Sequence, residues 1–139
     1  MEAMIRSGRR TIVVGTALAV LAAAGLAFAQ AATGPWVAPA ADKAKKNPVP
    51  ASPAAVETGK KVAQTNCVTC HGAGGKGDGA AAVALNPKPA DWTSKRVQDE
   101  TDGELFWKIS KGRNAMPPWA HLPENDRWSV IHYIRTLKK

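Results

Sequence analysis

The residues with the most chemistry in them stand together at Cys67-Val68-Thr69-Cys70-His71. Two thiols two residues apart, followed at once by an imidazole, match what one haem needs for covalent attachment. The thiols reach its two vinyl groups and form thioethers, and His71 is then held beneath the iron as proximal ligand. Other uses of a cysteine pair compete. A zinc site wants a fourth ligand and usually a second pair, and the chain has only two cysteines. A thioredoxin-like redox pair wants a βαβ setting, which the sequence does not supply. A plain disulfide leaves a small domain with a long loop unexplained.

A second axial ligand would come from methionine or another histidine. Met1 and Met4 lie in an N-terminal leader, which leaves Met116. It sits in Asn114-Ala115-Met116-Pro117-Pro118-Trp119, where two prolines with fixed φ limit how the loop swings. A thioether is a soft, neutral donor that favours ferrous iron, so a Met/His pair raises the reduction potential. A methionine that only fills a gap in the core is the plainer alternative. His121, in the loop after Trp119, and His132, expected on the outer side of a helix, are the rival donors.

Three helices must position these groups. The first opens with Ser52 as N-cap and Pro53 at the first helical position, and runs through Val56, Lys60 and Val62 toward Cys67. Thr101 followed by Glu104 forms a capping box for the second, which carries Leu105, Phe106 and Ile109 on one face and stops at Gly112. The third starts near Pro123 or Glu124, with Trp128, Ile131 and Ile134 at helical spacing and Val130, Tyr133 and Leu137 widening that face. No segment alternates as a strand. The fold class expected is all-α. The irregular stretch from Gly72 to Glu100 is long for so small a domain, and is acceptable if it wraps something that is not protein.

The chain of 139 residues has room for one small domain. Arg6, Arg9 and Arg10 precede an apolar run from Thr11 to Phe28 ending in Ala27-Phe28-Ala29, the pattern of a secretory signal over residues 1–29. An uncleaved anchor is the alternative, and either places the bulk of the protein outside the cytoplasm, in the periplasm. Without those three arginines and Glu2 the formal charge falls from +8 to +6. With no basic stripe in an exported chain, nucleic acid is not the expected partner. Residues 30–52, rich in Ala, Pro and Lys, read as a flexible linker, and 53–139 as the folded domain.

Pro53 to Lys139 resembles the class I c-type cytochromes, the soluble monohaem carriers of bacteria. Gly59-Lys60-Lys61-Val62 precedes Cys67 at the usual distance, and the resemblance implies that Gly59 lets the first helix pack closely on the last. Gly72 to Gly79 is similar to the glycine-rich turn after the haem histidine. Asn86-Pro87-Lys88-Pro89-Ala90-Asp91-Trp92 resembles the haem-covering loop, and Asn114 to Trp119 the segment that delivers the methionine ligand. Ala63 departs from the pattern, since many members carry an aromatic there; Trp128 or Tyr133 is expected to fill the gap.

The resemblance implies three main helices and long loops wrapped around one covalently attached haem c. Cys67 and Cys70 would carry the thioethers, and His71 and Met116 the iron. Pro87 would buttress His71 through a backbone carbonyl. Trp92, Trp107, Trp119 and Arg113 would face the porphyrin or its propionates, at least two of the tryptophans simply filling core. Lys60, Lys61, Lys76, Lys88 and Lys111 either surround an exposed haem edge and steer acidic docking faces of redox partners, or form an ordinary solvated lysine face. The function expected is one-electron transfer between redox proteins, with no enzymatic activity of its own. The protein would be a monomer or a tightly bound subunit of a dehydrogenase or reductase complex, at the membrane only if the leader is uncleaved. A haem sensor or small enzyme with an open sixth position is the reading from another class.

Overall fold

Local signals set the long helices. Ser52 is extended, and its Oγ accepts the amide of Ala55 at 3.1 Å, while Pro53 opens the helix where no intrahelical amide bond is needed. Gly112, at φ 61°, closes another helix in a conformation that glycine adopts without strain. The computed structural model describes residues 35–139. It places α1 at Ala40–Lys43, α2 at Pro53–Asn66, α3 at Val68–His71, a 3-10 turn at Ala80–Ala84, α4 at Lys95–Gln98, α5 at Asp102–Lys111 and α6 at Glu124–Thr136. Among the described residues the only β feature is an isolated bridge between Arg113 and Met116, so the all-α expectation holds. No helix among them is long and apolar enough to cross a membrane. The leader at 1–29 lies outside the described residues.

The crossing of α2 over α6 organises the domain. Ala55, Gly59 and Ala63 form the buried stripe of α2, spaced four residues apart and all small, so the two backbones come close. A Cβ on Gly59 would run into the Ser129 carbonyl and lie 2.8 Å from the Val130 amide nitrogen. The packing role that the resemblance implied for this glycine is therefore present. Ala63 shares its buried cluster with Trp128 and Tyr133, the two residues expected to fill out that crossing. Ile131 and Ile134 are the most deeply buried large side chains. Phe106 of α5 stacks on Trp128 at 3.9 Å and 9°, with the Arg127 guanidinium 4.6 Å from the Phe106 centroid.

Residues 37–52 correct the linker expectation. Composition denies this stretch a core, yet side chains of α5 and α6 hold its backbone. Thr101 Oγ1 donates to the Lys43 carbonyl at 2.8 Å, and His132 Nε2 to the Val49 carbonyl at 2.7 Å. Asn47 Nδ2 donates to the Trp128 carbonyl at 3.1 Å, and Ala38 is buried. Glycine at 103 admits the strap, since a Cβ there would collide with the Asp42 carbonyl. The compact unit therefore begins at Val37 rather than Pro53. His132, expected on an open outer face, is half-buried beneath this strap.

The Thr101 cap forms as the sequence predicts, with its Oγ1 accepting the Glu104 amide at 3.1 Å. The carboxylate of Glu104 is drawn to lysines, pairing with Lys43 at 3.2 Å and Lys108 at 3.5 Å. Thr101→Ala removes the cap and the bond to Lys43 together. A loss of about 1–2 kcal/mol is expected in denaturant unfolding, with the visible spectrum unchanged. Arg135 fastens α6 to the junction of α4 and α5, donating to Asp102 Oδ1 at 2.7 and 3.0 Å and to the Gln98 carbonyl at 3.0 Å.

Candidate functional site

The Cys67–His71 motif curls into a single turn. Cys67 ends α2 with its amide on the Ala63 carbonyl at 2.8 Å, and its own carbonyl accepts the amides of Cys70 and His71 at 3.2 and 2.9 Å. Both thiols are free and half-buried. Burial pushes the Cys67 thiol up to about 11, and the neighbouring Cys70 adds to the rise. A redox-active dithiol has its nucleophilic thiol pushed the other way, as the Cys67 thiol is not. Among the described residues, no three His, Cys, Asp or Glu side chains gather as a metal-binding group.

His71 is buried, and its Nδ1 lies 3.1 Å from the Ala90 carbonyl. A carbonyl only accepts, so Nδ1 carries the proton and Nε2 keeps its lone pair. Burial lowers the imidazole's pKa from the usual 6.5, opposed by the bond to Ala90, and the ring is neutral at pH 7. A neutral, oriented imidazole with one free nitrogen is the form that binds iron. Trp92 stacks on it, with centroids 4.4 Å apart and an interplanar angle of 23°.

The carbonyl that orients His71 is thus Ala90's and not Pro87's, which corrects the expectation for Pro87. Pro87 is exposed, in a stretch whose Asn86–Pro87 peptide is cis. The reason lies in the glycine-rich turn. Gly77 has φ 73°, its amide bonds the His71 carbonyl at 2.8 Å, and a Cβ there would strike the Pro89 carbonyl. Trp92 bonds the Gly75 carbonyl through its amide at 2.7 Å. These contacts pin Pro89 to Trp92 against the turn and bring the intervening Ala90 carbonyl to the ring. Asp91 completes the bend, its Oδ1 accepting both the amide and the hydroxyl of Thr93 at 2.8 Å. Those bonds hold its carboxyl below the usual range.

Met116 stands in a tight hairpin. Arg113 and Met116 exchange two backbone hydrogen bonds of 2.9 Å across Asn114-Ala115, with Asn114 at φ 52°. A Cβ on Gly112 would strike the Met116 carbonyl and lie 2.6 Å from the Pro118 nitrogen, and the Trp119 amide closes the loop on Ile109 at 3.1 Å. Met116, Arg113, Trp107 and Trp119 are half-buried. His121 is exposed with its ring 5.5 Å from Trp119. The other rival, His132, is committed to the strap.

The structure therefore joins Cys67, Cys70, His71 and Trp92 in one group and Arg113 with Met116 in another. Lys60, Lys61, Lys76, Lys88 and Lys111 are all exposed. Sequence reasoning missed the Ala90 carbonyl, because no side-chain signal marks a backbone acceptor. The donor set fits a covalently held haem. Cys67 and Cys70 would take the thioethers, and the free Nε2 of His71 and the thioether of Met116 would serve the iron.

Comparison with known proteins supports the covalent haem. The family model described as cytochrome c oxidase, cbb3-type, subunit III matches residues 54–134. No curated protein matches the chain. Among solved structures, a chain of the reducing HAO-like protein complex of Kuenenia stuttgartiensis is similar, with 26% identity and a TM-score of 0.59 over 66% of this chain. The match spans 47% of that chain, about half its length. With the attachment motif on a single helical turn that buries His71 and the match running from α2 through most of α6, this chain belongs to the cbb3-type subunit III cytochrome family and is a c-type cytochrome that carries haem c covalently for electron transfer.

Proposed function

We propose that this protein is a periplasmic one-electron carrier whose iron is held between His71 and Met116. The observation that carries the reading is the His71 imidazole, buried and neutral, with Nδ1 bound to Ala90 and Nε2 left as the only ring donor for a metal. Haem bound here supplies reversible one-electron chemistry at its iron. The residues around it hold still. The Ala90 bond and the Trp92 stack fix the His71 ring, and the hairpin from Arg113 to Met116 fixes the backbone that presents the thioether. Retaining both ligands in each oxidation state keeps reorganisation small. Five exposed lysines support docking onto acidic faces of redox partners, and the leader pattern of residues 1–29 supports export.

A second reading, membership of a stable redox complex, is favoured by the similarity to a chain of the reducing HAO-like protein complex. Co-purification with one partner through high salt supports it, whereas a freely eluting monomer supports the diffusing carrier. The ligand reading is tested by absorption spectra of the matured protein in ferric, ferrous and carbon-monoxide-treated ferrous forms. A ferric far-red sulfur-to-iron band with no carbon monoxide binding is expected. A high-spin spectrum with rapid carbon monoxide binding overturns it in favour of an open-site sensor or enzyme.

A further inference from the structure

The His71 ring has two degrees of placement, the direction of its edge and the tilt of its plane. The Ala90 carbonyl, 3.1 Å from Nδ1, sets only the first, because a ring can rock about an axis through a single hydrogen bond. The plane is set by a face, and the face against it is the Trp92 indole at 4.4 Å and 23°. Trp92 in turn has little freedom. It is 8% exposed and meets Tyr133 of α6 edge-on, at 6.5 Å and 88°. Its amide is held by Gly75, and its carbonyl accepts Gln98 Nε2 at 2.6 Å, an amide that also bonds the Ile134 carbonyl of α6 at 2.9 Å. On the remaining side a Cβ on Gly75 would lie 2.7 Å from the indole carbon Cε3, so the turn closes directly on the ring.

We propose that Trp92 is a positioning residue for the iron ligand, transmitting the orientation of α6, through Tyr133, to the plane of the His71 imidazole. This rests on His71 being the ligand. The plane of an axial imidazole selects which iron d orbital it meets by π overlap, so its angle sets the magnetic anisotropy of the ferric state and contributes to the potential. The Ala90 bond raises the basicity of the ring; the Trp92 stack governs its angle. The two effects are separable because they come from different atoms of the same loop.

The test uses the matured holoprotein and its Trp92→Phe and Trp92→Leu variants. Proton NMR of the ferric protein reads the spread of the haem methyl resonances, which follows the ligand plane, alongside the reduction potential and the thermal midpoint. Trp92→Leu is expected to change the methyl pattern and shift the potential while the far-red band persists. Trp92→Phe, which keeps a flat face, is expected to return the pattern toward wild type even if its midpoint stays lowered. An unchanged pattern and potential in Trp92→Leu, with only the midpoint lowered, overturns the proposal and leaves Trp92 as core filling. If Trp92→Leu does not mature, Tyr133→Leu removes the edge contact and keeps the stack. A changed pattern there supports the transmission, and an unchanged one overturns it. Failure of the ligand reading shows separately, as absence of hyperfine-shifted His71 ring protons in wild type labelled at histidine.

Discussion

Met116→Ala is expected to abolish the ferric far-red band, open the ferrous iron to carbon monoxide and lower the reduction potential by roughly 0.2–0.3 V, within the range of about 0.8 V that axial ligands span. The direction follows from ligand chemistry. A thioether stabilises ferrous over ferric iron, so replacing it with water or hydroxide favours the ferric state. The size depends on the loop surviving the change, and the geometry indicates that it does. Both hydrogen bonds between Arg113 and Met116 are backbone bonds, and the Trp119 amide closes on Ile109 without help from the methionine side chain. Gly112 and the two prolines hold the same backbone in place. Only the sulfur donor is lost, together with about 2 kcal/mol of packing from a half-buried side chain. A variant that loses the far-red band yet still excludes carbon monoxide would show that a nitrogen donor occupies the sixth position. His121 is then the histidine to replace next, because His132 is bonded to Val49.

Gly59→Val is expected to cost at least about 3 kcal/mol, the upper end of what overpacking usually costs. Its Cβ would strike the Ser129 carbonyl and press on the Val130 amide nitrogen. Both obstacles are backbone within α6, so no rotamer change relieves them and the two helices must separate. Separation uncovers Ala55 and Ala63 on one side and the Val130–Tyr133 face on the other. Gly59→Ala is milder, because removing a mid-helix glycine returns about 1 kcal/mol of helix propensity against the clash. For a domain of this size, 3 kcal/mol lowers the thermal midpoint by roughly 12–24 °C. Thermal unfolding followed by the haem spectrum measures it, with exposed Lys60→Ala as a control expected to change stability by less than about 0.5 kcal/mol. A Gly59→Val midpoint close to that control would mean that α2 and α6 do not need their close approach.

What could be read from the residues follows from how local each cause is. The starts of α2 and α5 were legible because Ser52 and Thr101 act on amides three residues away, and the end of α5 because Gly112 is itself the stop. The face of α6 was legible from spacing alone, and Trp128, Ile131, Tyr133 and Ile134 are buried on it. Glu104 shows where such reasoning ends. Its position makes a capping box, but its carboxylate turned to Lys43 and Lys108, which arrive from elsewhere in the chain and on the next turn. The strap at 37–52 was illegible for a related reason. It has no apolar period, and two of its anchors are its own carbonyls, met by Thr101 and His132 from far along the sequence.

The sequence by itself determined the three long helices and the haem attachment motif, because each rests on residue type at short spacing, while the role of Gly59 at the helix crossing came from the family resemblance. Tertiary structure alone decided that Ala90 rather than Pro87 faces the His71 ring, that Trp92 lies flat against it, and that the proline-rich strap is part of the fold. Those outcomes hang on backbone carbonyls and ring planes. Every residue carries a carbonyl of the same kind, so only the path of the folded chain can choose which one is used.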